Sequence, residues 1–451
     1  MRLIVIGYLC VGLLSVTFAE ELDFFDTQSL LAKNKMEFSC KAPSVDKPWG
    51  LEDVVRMALC NNPQTTIAWQ TSLYQASLLG ASQSSYLPTL SANGSVLDNG
   101  GTGSNIKGNQ ENINVTLSYL LYDFGKREAT VENARQLLFV ANSSENSAIQ
   151  KVFLSALEAY YLLFGSNASL EASREAEVAA LESFNAAKAR YTIGTATPAD
   201  KLQAQTAYSQ AVLNRIRAEG NVRNAQGDLG NVLGMEPDIK LNLVSPSLVS
   251  PNEMFEQNIH TLMEEAKKIR PDLLSAQAKI KASQAGVKAA RADNMPSFSL
   301  SSSLGHTDTS SNAYRNSSIG LYVSVPIFSG FNTSYKVQAA REQLKISEAE
   351  YEKLSQDASL EVYKMYQSVV TETQAVRTSF DLVESAKESQ ALALGRYKAG
   401  VGTILDLLNA QSALASAKQQ QIQALYNWYI AKASLAKSMG TLDFSTLKGQ
   451  P

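Results

Sequence analysis

The chain contains the same pattern twice, about 206 residues apart. The matching positions are Pro63 with Pro271, Pro88 with Pro296, and the segment 190–194 (RYTIG) with 396–400 (RYKAG). Solenoid repeats span about 20 to 50 residues, so a repeat of this length is a duplicated half. One architecture must therefore account for both halves of the chain.

Each half contains two short segments in which apolar and polar residues alternate, separated by a loop rich in Gly, Asn and Ser. The second segment reads INVTLSY from Ile113 in the first half and IGLYVSV from Ile319 in the second. A period of two indicates β-strands. We predict strands at about 89–98, 112–122, 297–305 and 318–328. Strands of roughly 10 residues are long enough to cross a bilayer with tilt.

Four strands per chain are too few to close a membrane barrel, because the smallest membrane barrels have about eight. An open sheet edge in lipid would leave backbone amides unpaired, at a cost of several kcal/mol each. Strands that cross a membrane would therefore have to share a barrel with strands of other copies. Alternation alone leaves a second possibility open, which is two soluble hairpins packed on helices.

Two uninterrupted helical runs dominate the chain, at 126–191 and 331–397. Both lack proline, and their apolar residues recur at steps of three, four and seven, which is typical of a coiled-coil seam. At 1.5 Å per residue, roughly 65 residues form a helix of about 100 Å. A glycine turn and a shorter helix follow each run, and the shorter helices, predicted at 200–233 and 406–439, must fold back antiparallel.

The first 19 residues have the pattern of a secretory signal peptide, which is an early arginine, an apolar stretch and small residues before Glu20. No later stretch approaches 18 uninterrupted apolar residues, so no transmembrane helix is predicted. The formal charge is -3 and no basic cluster occurs, so nucleic acid is not an expected partner. We divide the rest into an N-terminal arm, two repeats and a C-terminal tail, at 20–50, 51–245, 246–442 and 443–451.

The sequence offers no catalytic or metal-binding constellation. The motifs G-x-S-x-G, CxxC and HExxH and the Walker loop are absent. His260 and His306 stand apart from any cysteine or carboxylate pattern. The segment 227–234 (GDLGNVLG) suggests a phosphate loop but lacks the lysine, and a helix C-terminal turn fits it better. We expect no enzymatic activity and no cofactor.

Cys10 lies in the signal peptide, which leaves Cys40 and Cys60 in the mature chain. In an exported protein, an isolated pair about 20 residues apart favours a disulfide over a metal site, which would need two further ligands. The bridge would tie the N-terminal arm to the first repeat. Two unpaired buried thiols are the alternative.

The duplicated order of helix, strand, loop, strand, long helix and hairpin resembles the TolC family of outer-membrane efflux and secretion channels. The resemblance covers about 49–442, and its motifs are 51–53 (LED), 62–63 (NP), 86–88 (YLP), 122–125 (YDFG), 327–330 (IFSG), 396–402 (RYKAGVG) and 406–411 (DLLNAQ). It implies a fold class that is mainly α with a membrane β-barrel contribution. Three copies would complete a twelve-stranded barrel and a periplasmic tunnel of helices.

The resemblance also implies a place and partners, namely a homotrimer in the outer membrane of a Gram-negative bacterium, in contact with lipid, a periplasmic adaptor and an inner-membrane ABC or proton-driven transporter. The N-terminal arm with Cys40 and the motif 59–63 (LCNNP) look like relatives that serve type I protein secretion. A multidrug or metal efflux pump is the alternative. A periplasmic coiled-coil adaptor or scaffold is a second class of function, although adaptors usually carry one hairpin flanked by β-rich domains.

In the TolC family, helical hairpins close the periplasmic end of the tunnel. By position, Asp406 matches the acid that lines this constriction, and Tyr397 and Asp200 match residues that hydrogen-bond in the closed state. Asn409 stands where TolC itself has a second acid, and Gly402 where it has an arginine that locks the gate. We therefore expect a less negative entrance whose closure relies more on Tyr397 and on packing. Alternatively, Tyr397 caps the coiled-coil seam and both aspartates are first-turn acids stabilised by the helix dipole.

Overall fold

The computed structural model describes residues 23–29, 48–99, 108–239, 241–245, 258–309 and 312–444. The predicted signal peptide, most of the N-terminal arm with Cys40, and most of the C-terminal tail lie outside these ranges. Within them, no helix combines the length and the apolar character needed to cross a membrane. The chain divides into two compact units, one around Gln70–Asn142 and Ser275–Glu350 and the other around Ser143–Leu274 and the residues from Tyr351 onward.

The elements of the first half occur in the order α1 at Leu51–Asn61, α2 at Pro63–Gln83, β1 at Thr89–Asn99, β2 at Gly108–Tyr122, α3 at Lys126–Thr192 and α4 at Pro198–Val232. The second half repeats this order with α5 at Ile259–Ile269, α6 at Pro271–Ala292, β3 at Ser297–Thr309, β4 at Ala313–Ser324, α7 at Asn332–Lys398 and α8 at Ile404–Met439. The prediction of a mainly helical chain with four strands in a duplicated order is confirmed.

The bounds of three strands differ from those predicted, since β2 begins at Gly108 and not at 112, and both second-half strands also differ. Alternation places the fourth strand at 318–328, whereas β4 begins at Ala313 and ends at Ser324. Pro326 has no N–H group to donate to a ladder, so pairing stops before it. At the other end, β3 continues past 305 to Thr309 because its residues still pair with β4, for example Asp308 with Ala313.

The four strands form one antiparallel sheet in the order β1-β2-β3-β4, so the pairing of β2 with β3 joins the two halves. One row across the sheet runs from Leu90 to Leu117, Ser302 and Ile319. Residues of one row share a face. Leu90 is 71% exposed and Ile319 is 76% exposed, so this face is an apolar surface that the described residues of one chain leave open.

The two residues directly before each long helix lie in the left-handed region. These are Phe124 and Gly125 before α3, with φ of 54° and 87°, and Gly330 and Phe331 before α7, with φ of 62° and 65°. Two consecutive left-handed residues reverse the chain direction, and phenylalanine adopts this region only at a steric cost. The same reversal at both positions shows that the duplication extends to the backbone.

The helical unit has its core where α3 and α8 meet α4. Phe153, Leu157 and Tyr160 lie on one face of α3, at steps of four and three, and all three are buried with Leu229 of α4. The hydroxyl group of Tyr160 donates to the carbonyl of Val244 at 2.6 Å. Val152, Ala156 and Ala159 of the predicted apolar seam are buried in the same core.

In both halves, the residue before a helix-starting proline binds the end of the fold-back helix. The side-chain amide of Asn62 donates to the carbonyl of Val232 at 2.9 Å, and Arg270 Nη1 donates to that of Ser438 at 2.7 Å. These carbonyls belong to helix ends, where intrahelical donors run out. The segment 227–234 therefore ends a helix, as predicted, and Gly234 has a left-handed φ of 66°.

Candidate gate at the two hairpin turns

The two hairpin turns have the same backbone construction. Gly194 and Gly400 adopt left-handed φ values of 77° and 80°, which glycine tolerates at helix ends without steric cost. The N–H group after each glycine donates to the carbonyl of Arg190 in the first turn and of Arg396 in the second, at 2.9 and 3.0 Å. The two turns therefore present equivalent positions to their surroundings.

Asp406 and Asp200 each close a capping box at the start of a fold-back helix. The hydroxyl of Thr403 donates to Asp406 Oδ2 at 2.7 Å, and the Asp406 N–H donates back to that hydroxyl oxygen at 3.1 Å. Thr197 and Asp200 make the same two bonds at 2.9 and 3.2 Å. These bonds satisfy donors that a helix start leaves without partners. Both aspartates therefore have a structural role, as the first-turn alternative predicts.

The carboxylate of Asp406 is exposed and charged. Hydrogen bonds from the hydroxyl and the backbone N–H of Thr403 lower its pKa, and the positive charge of Arg396 lowers it further. Asp406 is therefore ionised at neutral pH. Asn409 lies about one turn further along α8 and is also exposed, so the second position of the predicted constriction carries no charge.

Tyr397 is 5% exposed and packs in a small apolar cluster at the hairpin ends, with Ala187, Ala204, Ile404 and Leu407. This packing is the seam role that the alternative interpretation gives it. Its hydroxyl group has no hydrogen-bond partner among the described residues, and the side chain of Asp200 bonds there to Thr197. Tyr397 and Asp200 are thus not hydrogen-bonded within one chain, and their closed-state bond stays a prediction about an assembled channel.

Arg190 joins the two hairpins, a role that the sequence pattern alone does not indicate. Its Nη2 donates to the carbonyl of Tyr397 at 2.8 Å and approaches that of Lys398 at 3.4 Å. Its guanidinium carbon lies 4.4 Å from the centroid of the Tyr397 ring. A cation is stabilised at a helix C-terminus, where carbonyls lack donors, and over an aromatic face. The repeated Arg-Tyr pair is the sequence signal that could have identified it.

Gly402 lies against the backbone at the end of α7. A Cβ atom at this position would lie 3.0 Å from the Cβ atom of Arg396 and 3.1 Å from the amide nitrogen of Tyr397. The N–H group of Gly402 donates to the carbonyl of Arg396 at 3.1 Å. A side chain at Gly402 therefore requires these neighbours to move by a few tenths of an ångström, so the turn is tightly packed at the position where the family has an arginine.

Cys60 lies at the end of α1 and is disulfide-bonded. Cys40 lies outside the described residues, so the pairing of these two residues stays a prediction. Over the ranges that the structure covers, no group of three or more His, Cys, Asp and Glu residues could hold a metal ion. His260 lies in the first turn of α5, and His306 pairs with Arg315 across the sheet.

Comparison with known proteins gives matches over both halves. The family described as outer membrane efflux protein matches residues 54–235 and 262–441. The protein CyaE of Bordetella pertussis is 27% identical over 410 residues, which are 89% of this chain and 86% of CyaE. The alkaline protease secretion protein AprF of Pseudomonas aeruginosa is 24% identical over 339 residues, which are 74% of this chain and 70% of AprF.

A solved structure has the same fold. The Campylobacter jejuni CmeC outer membrane channel superposes with a TM-score of 0.78 at 22% identity, over 88% of each chain. Together with the family match, this superposition confirms the resemblance that the repeated motifs predict.

Proposed function

Because the chain belongs to the outer membrane efflux protein family, we propose that it is the exit duct of a tripartite system for type I protein secretion. It is an outer-membrane channel protein, and the family's members work as trimeric channels with periplasmic adaptors and inner-membrane transporters. In this proposal the duct performs no chemistry. The transporter, an ABC protein, supplies the energy, and the adaptor connects it to the helical hairpins.

The match of the family to both halves of the chain is the observation that carries the channel function. The sheet supports it. The outer edges of β1 and β4 have no partner strand among the described residues, and the face that contains Leu90 and Ile319 is apolar and open. In lipid, an apolar face is favourable and an open edge is not. Three copies pairing β1 with β4 of the next copy remove every edge.

The similarity to AprF supports protein secretion as the function, because AprF is named as an alkaline protease secretion protein. The family description names efflux instead, so the outer-membrane component of a multidrug or metal efflux pump is the second candidate. The adaptor or scaffold alternative is disfavoured, because the two hairpins stand in a duplicated order and share one four-stranded sheet.

The experiment supplies the chain to a Gram-negative host that lacks its own outer-membrane channel. One strain also carries the adaptor and ABC transporter of an alkaline protease secretion system, and a second carries those of a drug pump. Protease in the medium of the first strain and no gain of drug resistance in the second are the expected results. Drug resistance without protease export would reject secretion in favour of efflux.

Assembly is measured in the same strains, so that a failure of transport can be interpreted. Outer-membrane fractions are treated with an amine crosslinker and separated on denaturing gels. If trimers are present in the outer membrane but support neither protease export nor drug resistance, the proposed function is contradicted. Absence of the chain from the outer membrane would contradict the channel assignment itself.

A further inference from the structure

The duplication provides two Arg-Tyr pairs, and the contact between Arg190 and Tyr397 uses one residue of each pair. Arg396 is the repeat counterpart of Arg190, and Tyr191 is the counterpart of Tyr397. The two turns have matching backbones, and their helices begin with matching capping boxes. The chain therefore contains the residue types for a second Arg-Tyr contact, Arg396 and Tyr191.

One chain leaves the members of this second pair apart. Arg396 is exposed, and in the part of the chain that the structure describes its guanidinium group donates no hydrogen bond. Tyr191 is 42% exposed, although its counterpart Tyr397 is buried. The carbonyl of Tyr191 accepts one bond, from Gly194 within the turn, which leaves a lone pair without a donor at the end of α3.

A ring of copies brings the second pair together. In a closed ring the hairpins of the first and second halves alternate, so each hairpin has two neighbours. The first-half hairpin meets the second-half hairpin of its own chain through Arg190 and Tyr397. On its other side it must meet the second-half hairpin of the next copy. The equivalent residues at that contact are Tyr191 and Arg396.

We propose that Arg396 of one copy binds the end of α3 in the adjacent copy, where it donates to the carbonyl of Tyr191 and lies against the Tyr191 ring. This inference rests on the proposed function, because it requires the trimeric channel. It assigns Arg396 and Tyr191 as the residues that connect the copies at the hairpin turns, and the partner is a second copy of this chain.

The contact between copies is weaker than the contact within a chain. Within a chain, Ile404 and Leu407 are buried beside Tyr397. Their repeat counterparts are Pro198 and Lys201. The ammonium group of Lys201 lies 5.3 Å from the centroid of the Tyr191 ring, where its positive charge repels an approaching Arg396.

Cysteine crosslinking distinguishes the two contacts. We expect Arg396→Cys combined with Tyr191→Cys to give covalent trimers with a short bismaleimide. The matched pair Arg190→Cys with Tyr397→Cys should crosslink within one chain and run as a monomer on a denaturing gel. Trimers that form normally but give no link between copies with the first pair would overturn the inference and leave the proposed function intact. Absence of trimers from the unsubstituted protein would overturn both.

A second measurement uses single substitutions and does not depend on cysteine geometry. Arg396→Ala should lower the temperature at which trimers dissociate, and Lys201→Leu should raise it by removing the repulsion. The double variant of Arg396→Ala and Tyr191→Ala should lower this temperature by less than the sum of the two single shifts, since both remove the same contact. Additive shifts would contradict direct contact.

Discussion

Arg270 Nη1 lies 2.8 Å from Glu361 Oε2, which ties the junction of α5 and α6 to α7. The guanidinium group also contacts Asp272 at 2.7 Å, and Lys437 lies 2.8 Å from the other oxygen of Glu361. These two cations and two carboxylates therefore form one cluster in which the charges balance. Arg270 itself is only 5% exposed, so its charge depends on these partners for compensation.

Replacing this arginine should destabilise the helical unit strongly. Arg270→Met removes the cation from Asp272 and Glu361 and leaves the carbonyl of Ser438 without this donor. We expect a loss of about 3 kcal/mol of unfolding free energy, which is typical when one member of a buried ion pair is removed. Urea denaturation of the purified protein measures it. Arg56→Met is the control, because Arg56 pairs with Glu52 on the surface and should change stability by less than about 1 kcal/mol.

The same cluster should make stability depend on acid pH. Burial alone raises the pKa of Asp272, but hydrogen bonds from Arg270 bring it below its ordinary value. Burial likewise raises the pKa of Glu361, and hydrogen bonds from Lys437 and Arg270 outweigh this effect and lower it. Since both folded-state pKa values are lowered, the cluster stabilises the fold above about pH 4 and loses this contribution as the pH falls further.

A double variant measures this pH dependence. The unfolding free energy of the unsubstituted protein minus that of Asp272→Asn with Glu361→Gln should be positive near neutral pH. It should shrink towards zero as the pH falls through the lowered pKa values of the two carboxyls. A difference that is constant with pH would show that these carboxylates do not cause the pH dependence of stability.

A side chain at Gly402 should be destabilising. Gly402→Ala places a methyl group against the backbone of Arg396 and Tyr397, and we expect it to cost about 1 to 3 kcal/mol, as overpacking does. Gly395→Ala, in the last turn of α7, is the matched control, since a Cβ atom there has nothing within 4 Å. The control should stabilise α7 by up to about 1 kcal/mol, because alanine favours helix. Thermal unfolding of both variants tests this contrast, and equal midpoints would contradict it.

Alanine variants of Asp406 and Asp200 distinguish a helix-capping role from a role in the gate. Both replacements by alanine remove the same capping box, so each should cost about 1 kcal/mol of stability. If three Asp406 carboxylates surround the entrance, Asp406→Ala alone should also reduce cation preference and block by multivalent cations in single-channel recordings. Asp200→Ala should leave ion selectivity unchanged. Identical recordings from both variants would mean that Asp406 only caps its helix.

The predicted bridge from Cys60 to Cys40 should stabilise the N-terminal arm. Closing a loop of about 20 residues contributes roughly 3 kcal/mol by loop-closure entropy. Peptide mapping without reductant should find Cys60 linked to Cys40, and Cys60→Ser should lower the thermal midpoint. The reductant-treated, unsubstituted protein should match the Cys60→Ser variant. Alkylation of Cys40 in the native, unreduced protein would contradict the pairing.

Local pattern was sufficient to predict the order of the elements. The period of two from Ile113 predicts β2, the proline-free runs predict α3 and α7, and the repeat predicts that both halves share one order. These features depend on residues that are close together in the sequence, so the sequence alone was sufficient to predict them. Asp406 is likewise predicted as an alternative to be a first-turn acid, and it lies in the first turn of α8. The limits of β2, β3 and β4 were predicted less well. Pro326 interrupts an alternation that otherwise continues past β4, and β2 and β3 pair beyond their predicted bounds.

Contacts between distant segments were decided by the tertiary structure alone. The sequence predicts an Arg-Tyr pair in each half, but not that Arg190 reaches the Tyr397 of the other hairpin, 207 residues away. It also contains nothing that pairs β2 with β3 or Arg270 with Glu361. Such contacts arise when folding brings separate helices and strands together, so their geometry is a property of the packed chain. The duplication determined which positions correspond, and packing determined which of them meet.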